Sequence, residues 1–287
     1  MKRDITLRSD ALERFTASLR EEEKAEATIG KYRRDADAFI RFAGRRKLTK
    51  NLCSEYKAQL CERYKPSSVN SILSAVNSFL SFMGHPQLKL KKLKIQRKLF
   101  HSVAEELTRE EYERLVRAAK DSGNERLALI LETICSTGIR VSELKHVTVN
   151  ALYSKNAEIM SKGKVRDILM PDGLVRKLKA YCKARRIRSG QVFVTSRGNA
   201  VDRSNIWKEM KILCQRAKVD KRKVFPHNLR HLFARTYYAL EKDLNRLADI
   251  LGHSSIETTR IYTMISAQNE RKKIERLGFV LTEHNIM

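Results

Sequence analysis

The sequence predicts a mostly α-helical chain with one small β-sheet in its C-terminal half, divided into two domains. Three observations carry this. Helical periodicity runs from residue 7 to 83 without a strand pattern; a basic stretch at 88–98 breaks it; two short strand candidates then appear around a glycine turn, among further helices. The expected organisation is a helical bundle over 1–87, a basic linker over 88–104 and a mixed α+β domain over 105–287.

In the front half, Leu7, Ala11, Leu12, Phe15 and Leu19 make one apolar stripe and Ile29, Tyr32, Ala36, Phe39 and Ile40 a second. Leu52, Tyr56 and Leu60 form a third, and Val69, Ile72, Leu73, Val76, Phe79, Leu80 and Met83 a fourth. All repeat at i, i+3, i+4 and i+7, the spacing of a helix with one buried face. Pro66-Ser67-Ser68 reads as a helix start and Gly84 as a stop, with Gly30 and Gly44 as soft points. Residues 88–98 alternate Leu with Lys. They read as an extended basic linker, because Thr108-Arg109-Glu110-Glu111 restarts cleanly as a capping box with Tyr112, Leu115, Val116 and Ala119 on one face behind it.

In the back half, Leu127 to Ile134 is apolar on nearly every side, as expected of a helix buried within a domain. Ser136-Thr137-Gly138 ends it, Ile139 to Leu144 begins another helix, and Arg140 projects from the turn between them. Ala157–Met160 and Val165–Met170 are the strand candidates, joined by Ser161-Lys162-Gly163-Lys164, whose tip lysines can reach into a groove. A helix follows Pro171-Asp172, a short strand spans Gln191 to Thr195, and Asp202 opens a helix carrying Ile206, Met210, Leu213 and Ala217.

Composition names the partner. There are 59 Lys and Arg against 33 Asp and Glu in 287 residues, a formal net charge of +26. A surplus of that size points to a polyanion, because each neutralised phosphate releases a condensed counterion. With 42% hydrophobic residues the chain is not a disordered one. Five scattered cysteines without a CxxC pair argue against a disulfide framework or a cysteine-based zinc site. No stretch approaches the roughly 18 apolar residues of a membrane span, and the N-terminus has no apolar signal core. The expected compartment is intracellular and reducing, the cytoplasm.

The chemistry concentrates near the C-terminus. Pro226 starts a helix on which His227 and Arg230, three apart, share a face, and exposed backbone N–H groups at such a start favour an anion. His231 lies four after His227, the spacing of the zinc motif HExxH, but position 228 is Asn, the general base is missing and no third ligand has a recognised spacing. No metal is expected. A helix from Asp243 to Leu251 ends at Gly252, His253 follows, and Ser254-Ser255-Ile256-Glu257 can cap the helix carrying Tyr262. A tyrosine is a poor nucleophile with its pKa near 10, but positive charge beside it stabilises the developing phenolate.

Five stretches together resemble the motifs of tyrosine recombinases, the phage-integrase and Xer group. They are Thr137 to Leu144, Ser161-Lys162-Gly163, His227-Asn228-Leu229-Arg230-His231, Leu251-Gly252-His253-Ser254-Ser255 and Thr258-Thr259-Arg260-Ile261-Tyr262. The front bundle, with Thr28 to Tyr32 and Val69 to Ile72, resembles that family's SAM-like core-binding domain more loosely. The resemblance implies two domains closing as a C-shaped clamp on DNA, and site-specific strand exchange without metal, ATP or other cofactor. It implies Tyr262 as the nucleophile forming a 3′-phosphotyrosine, Arg140 and Arg230 as the phosphate clamp, and Lys162 as the acid for the 5′-oxygen. His227 would assist proton transfer, His253 would hydrogen-bond the phosphate, Glu143 would orient its neighbours and His231 would support packing. Lys164 stays open as an alternative to Lys162.

The implied partner is duplex DNA with a short inverted-repeat core site, bound by a homo-oligomer: monomer or dimer when free, tetramer on two sites, at the nucleoid. Lys91, Lys92, Lys94, Arg97 and Lys98 of the linker, with Lys164 and Arg222, are the candidate DNA contacts. The apolar residues Ile274, Leu277, Phe279, Val280 and Leu281 suggest a tail docking on a neighbouring protomer or on its own domain. No extra N-terminal arm-binding domain is expected. A DNA-binding protein without catalysis and a type IB topoisomerase remain as alternative functions.

Overall fold

The computed structural model describes residues 9–95, 106–161, 164–195, 197–253, 255–262 and 275–276. Two compact units divide the chain, residues 1–97 and 98–287.

The first unit holds helices α1 (Ser9–Glu21), α2 (Glu26–Ala43), α3 (Lys50–Arg63) and α4 (Pro66–Phe82), one for each apolar stripe. Thr49 caps α3, its side chain accepting from the Leu52 N–H, and Pro66 occupies the first turn of α4 where no hydrogen bond is lost. Phe15, Phe39 and Phe79 are fully buried, and Phe15 meets Phe79 edge to face at 5.3 Å. Gly30, expected as a soft point, lies within continuous helix, whereas Gly44 ends α2 at φ +57°.

The basic stretch does not leave this unit at residue 88. After a 3-10 turn over Pro86–Leu88, it lies against α4 as a strap. Asn77 pairs with both main-chain groups of Leu90: Nδ2 donates to its carbonyl and its N–H donates to Oδ1, each at 2.8 Å. Asn70, two turns earlier on the same helix, does the same to Leu93 at 2.9 and 2.7 Å. Leu90 and Leu93 turn inward, while Lys89, Lys91, Lys92 and Lys94 are exposed. The Leu–Lys alternation is therefore that of extended chain, with carboxamide side chains standing in for a neighbouring strand.

The second unit opens with α5 (Arg109–Asp121) behind the full Thr108–Glu111 capping box. Next is α6 (Glu125–Thr137), which is buried along most of its length. Residues 141–146 form a 3-10 turn rather than an α-helix, and a further short helix, α7 (Val149–Ser154), follows. Strands β1 (Asn156–Ser161) and β2 (Lys164–Leu169) pair antiparallel, in register from Asn156↔Leu169 to Ser161↔Lys164. Residues 191–195, expected as a strand, make only the isolated bridges Thr148↔Gln191 and Val194↔Ala200. Around these stand α8 (Asp172–Ala184), α9 (Arg203–Ala217), α10 (Pro226–Glu241) and α11 (Leu244–Leu251). The chain then turns through α12 (Ile256–Thr259) into a 3-10 turn, Arg260–Tyr262. Among the described residues no helix is long and apolar enough to cross a membrane.

Gly138, which ends α6 at φ +66°, fixes the approach of α10. A Cβ there would stand 2.5 Å from the Phe233 ring and 3.0 Å from Leu251. Gly138→Ala combines left-handed backbone strain with overpacking. We expect it to destabilise the fold by about 2–4 kcal/mol, measured by urea unfolding. A loss well under about 1 kcal/mol would mean that the Phe233 ring yields freely.

Candidate active site

Arg230 is the centre of the arrangement. It projects from the first turns of α10 and is 1% exposed, an unusual position for a guanidinium. Nη1 donates to the Gly138 carbonyl at 2.5 Å and Nη2 to the Leu251 carbonyl at 2.6 Å. Both acceptors lie at left-handed helix ends, where carbonyls lack partners in the helix. Nε has no partner among the described residues. Burial and the neighbouring Arg140 charge pull the Arg230 pKa down to about 10, so it still carries its charge at neutral pH.

His253 follows Gly252 at the end of α11, and its Nε2 lies 3.0 Å from Arg230 Nη2. A guanidinium only donates, so Nε2 is the acceptor. The proton is thus on Nδ1, 2.8 Å from Thr259 Oγ1, a fully buried hydroxyl that fixes this tautomer. Desolvation first, then Arg230 and Arg140, lower the His253 pKa to about 4. The consequence for stability has a definite sign. The unfolded histidine takes its proton first as pH falls below about 6.5, so the fold weakens from there to about pH 4. Between pH 7 and pH 5 we expect His253 to account for a loss of about 1–2 kcal/mol. His253→Gln should flatten the urea midpoint over that range, leaving the smaller slope from His227, whose pKa is also lowered, by desolvation and by Arg230, Arg140 and Arg203.

Tyr262 is 4% exposed and closes a small cluster with Ala234, Leu247 and Leu251. Its ring meets His231 edge on at 4.8 Å and lies parallel to His253 at 6.1 Å. His231 in turn packs against His227 at 4.5 Å, so the α10 histidine in contact with the tyrosine ring is His231. Burial raises the Tyr262 pKa, opposed by the charge and a hydrogen bond of Arg230 and by the charge of Arg140.

Arg140 enters from the turn after Gly138. Its backbone N–H and Nη1 both donate to Glu143 at 2.9 Å, and Nη2 reaches the Gly252 carbonyl at 3.3 Å. Glu143 is 7% exposed, and despite burial its carboxyl stays below the usual range because Arg140 and Arg166 hold its anion. Three separate stretches of the chain thus converge: residues 138–143, the start of α10, and residues 251–253 with 255–262. Lys162 lies outside the described residues, as do Arg97, Lys98 and all but residues 275–276 of the tail. Lys164 pairs through its backbone with Ser161 in the hairpin. Lys91, Lys92 and Lys94 stand exposed on the strap, and Arg222 is exposed with its guanidinium paired to Asp220.

Two contributors were given no role by the sequence: Arg166 lies outside every motif, and Thr259 lies within the motif that ends at Tyr262. Arg166, in the middle of β2, donates to Glu143 Oε2 and, at 2.5 Å, to the Ile250 carbonyl. Thr259 fixes His253. Arg166 did leave one signal: it is a charge on the same strand face as Ile168 and Met170. That face was hidden because the outer positions Val165 and Leu169 are equally apolar.

An apolar core, the buried Arg230 with the half-exposed Arg140, and a buried tyrosine define an α+β catalytic domain, and the chain belongs to the phage integrase family. That family's profile matches residues 105–269, and the profile described as "Phage integrase, N-terminal SAM-like domain" matches 12–85. The tyrosine recombinase XerA of Pyrococcus furiosus is 29% identical over 288 residues, covering 97% of each chain. The tyrosine recombinase XerD of Vibrio cholerae is 27% identical over 281 residues, 91% of each. A lambda integrase tetramer bound to a Holliday junction superposes with a TM-score of 0.71 at 17% identity, over 91% of this chain and 78% of the other, a likeness of fold.

Proposed function

We propose that the chain is a site-specific tyrosine recombinase acting on duplex DNA, with Tyr262 as its nucleophile. The observation that carries this is the convergence of a buried tyrosine with two arginines, one of them held rigidly by helix-end carbonyls. Tyr262 Oη attacks the phosphorus of a phosphodiester and the bond to the 5′-oxygen breaks. This leaves a 3′-phosphotyrosine and a 5′-hydroxyl. The 5′-hydroxyl of a partner strand attacks the phosphotyrosine, reforms a phosphodiester and releases the phenol, and two such exchanges pass through a Holliday junction. The phosphodiester energy is conserved in the covalent link.

Arg230 and Arg140 would neutralise the non-bridging oxygens, which gain charge in the transition state. A guanidinium already tied to two carbonyls needs little reorganisation at that moment. The phenolic proton leaves toward the histidines of α10, His227 and His231. His253 would hydrogen-bond the phosphate as the tautomer with its proton on Nε2, Thr259 Oγ1 then donating to Nδ1 and the bond to Arg230 Nη2 giving way, while the guanidinium keeps its two carbonyl bonds. Lys162 is assigned as the acid for the 5′-oxygen on the family motif alone. The exposed lysines of the strap, Lys91, Lys92 and Lys94, would lie on the phosphate backbone, together with Arg97, Lys98, Lys164 and Arg222. The assembly would be a tetramer on two short inverted-repeat sites at the nucleoid.

The test begins with denaturing capture of protein-linked DNA from a random duplex library. Wild-type protein should enrich one short inverted-repeat sequence, and Tyr262→Phe none. Two copies of that sequence on one plasmid should then yield deletions or inversions. Relaxation of supercoils without exchange would replace this function with a topoisomerase, and no covalent DNA from wild type would remove both.

A further inference from the structure

Behind the proposed phosphate site lies a second ion pair that the mechanism above does not use. Arg166 has a side chain only 11% exposed. It faces inward from β2 opposite Ile159 in register. One guanidinium nitrogen is bonded to Glu143 Oε2, the other to the Ile250 carbonyl at 2.5 Å. Glu143 Oε1 is taken by Arg140 Nη1 at 2.9 Å, so the two guanidiniums divide one carboxylate between them. Gly252, at φ +63°, lies directly on the Arg166 shaft, and a Cβ there would overlap its Cδ.

We propose that Arg166 is a positioning residue for the strand-transfer reaction: it shares the Glu143 carboxylate with Arg140, so that Arg140 keeps a net attraction for the phosphate. It also fixes the Ile250–His253 turn from behind. This rests on the proposed function. With Arg166 present, the carboxylate is opposed by two cations and Arg140 retains net attraction for a phosphate. Without it, Glu143 and Arg140 form a closed neutral pair, and a buried carboxylate beside the site repels the charge that develops on the non-bridging oxygens. A role confined to packing predicts no dependence on substrate charge.

The experiment uses the full chain, the site recovered by covalent capture, and two versions of it. One carries an ordinary scissile phosphodiester; the other carries a methylphosphonate, which lacks one non-bridging oxygen and its charge. Single-turnover adduct formation by Arg166→Met should fall about 10- to 100-fold on the phosphodiester. On the neutral substrate it should stay within about 3-fold of wild type. Glu143→Gln, added to Arg166→Met, should recover part of the loss, because the uncompensated charge is then gone. Arg166→Lys keeps a cation beside Glu143 and should lie between wild type and Arg166→Met. It also keeps the proposal open to refutation where the Met variant does not fold. Equal deficits on both substrates with no recovery in the double variant would overturn it, as would wild-type rates on the phosphodiester. Wild type forming adduct on neither substrate would remove the proposed function, and this assignment with it.

Discussion

Tyr262→Phe is expected to lower covalent adduct formation by at least about 10⁴-fold, because in the proposed mechanism the phenolate oxygen is the group that bonds to phosphorus. The fold should survive. The substitution removes one oxygen and leaves the ring in its cluster with Ala234, Leu247 and Leu251 and against His231 at 4.8 Å. The stability change should be no more than about 1.5 kcal/mol, the net worth of a hydrogen bond. DNA affinity and its salt dependence should match wild type, since the positive charges are untouched. The checks are single-turnover adduct formation on a nicked duplex, urea unfolding, and binding at several salt concentrations. Adduct formation by the Phe variant would transfer the nucleophile to another residue.

Arg230→Lys has the second largest expected effect, and it acts on both stability and rate. Lysine keeps a charge but cannot span the carbonyls of Gly138 and Leu251 as a planar fork does. One of these carbonyls is left unpaired inside the domain, a cost of about 1–3 kcal/mol in urea unfolding. Adduct formation should fall by about 10²–10³-fold, the range for losing one preorganised donor to a developing anion. Adding concentrated guanidinium as a free cation should restore little, because the missing element is the fixed geometry. A wild-type rate in Arg230→Lys would show that Arg230 serves the fold alone.

These expectations also mark how far the sequence could be read. The longer helices were legible because most bury one face, and the repeat at i, i+3, i+4 records that burial directly; the six-residue α7 was not read, and Tyr262, expected on a helix, lies in a 3-10 turn after the four-residue α12, because such short elements hold too little of the repeat. Pro226, Gly138 and Gly252 marked the helix ends that carry the site, since their backbone requirements are local. What could not be read was contact across the chain. The roles of Gly138 and Leu251 as acceptors for Arg230 are main-chain roles and leave no side-chain signature. Residues 141–146 have helix-like spacing, but six residues ending at the buried Leu144 and Val147 fit a tighter 3-10 turn as well. Gln191 to Thr195 has strand composition without a neighbour along its length, so only single bridges form. Lys162 was placed by motif, and Arg166 was missed because its partners come from residues 143 and 250.

The Asn70 and Asn77 pairing with the strap sets where this protein can be cut and recombined with its relatives. The SAM-like profile stops at residue 85, and a graft joined there would part the two carboxamides from the chain they hold. A transplantable N-terminal module instead runs past Leu93, with Asn70, Asn77, Leu90 and Leu93 inherited as one set. The lysines at 89, 91, 92 and 94 contribute no side chain to that register. They form a row on which charge can be exchanged position by position, so the salt tolerance of a chimera could be tuned there without disturbing the joint.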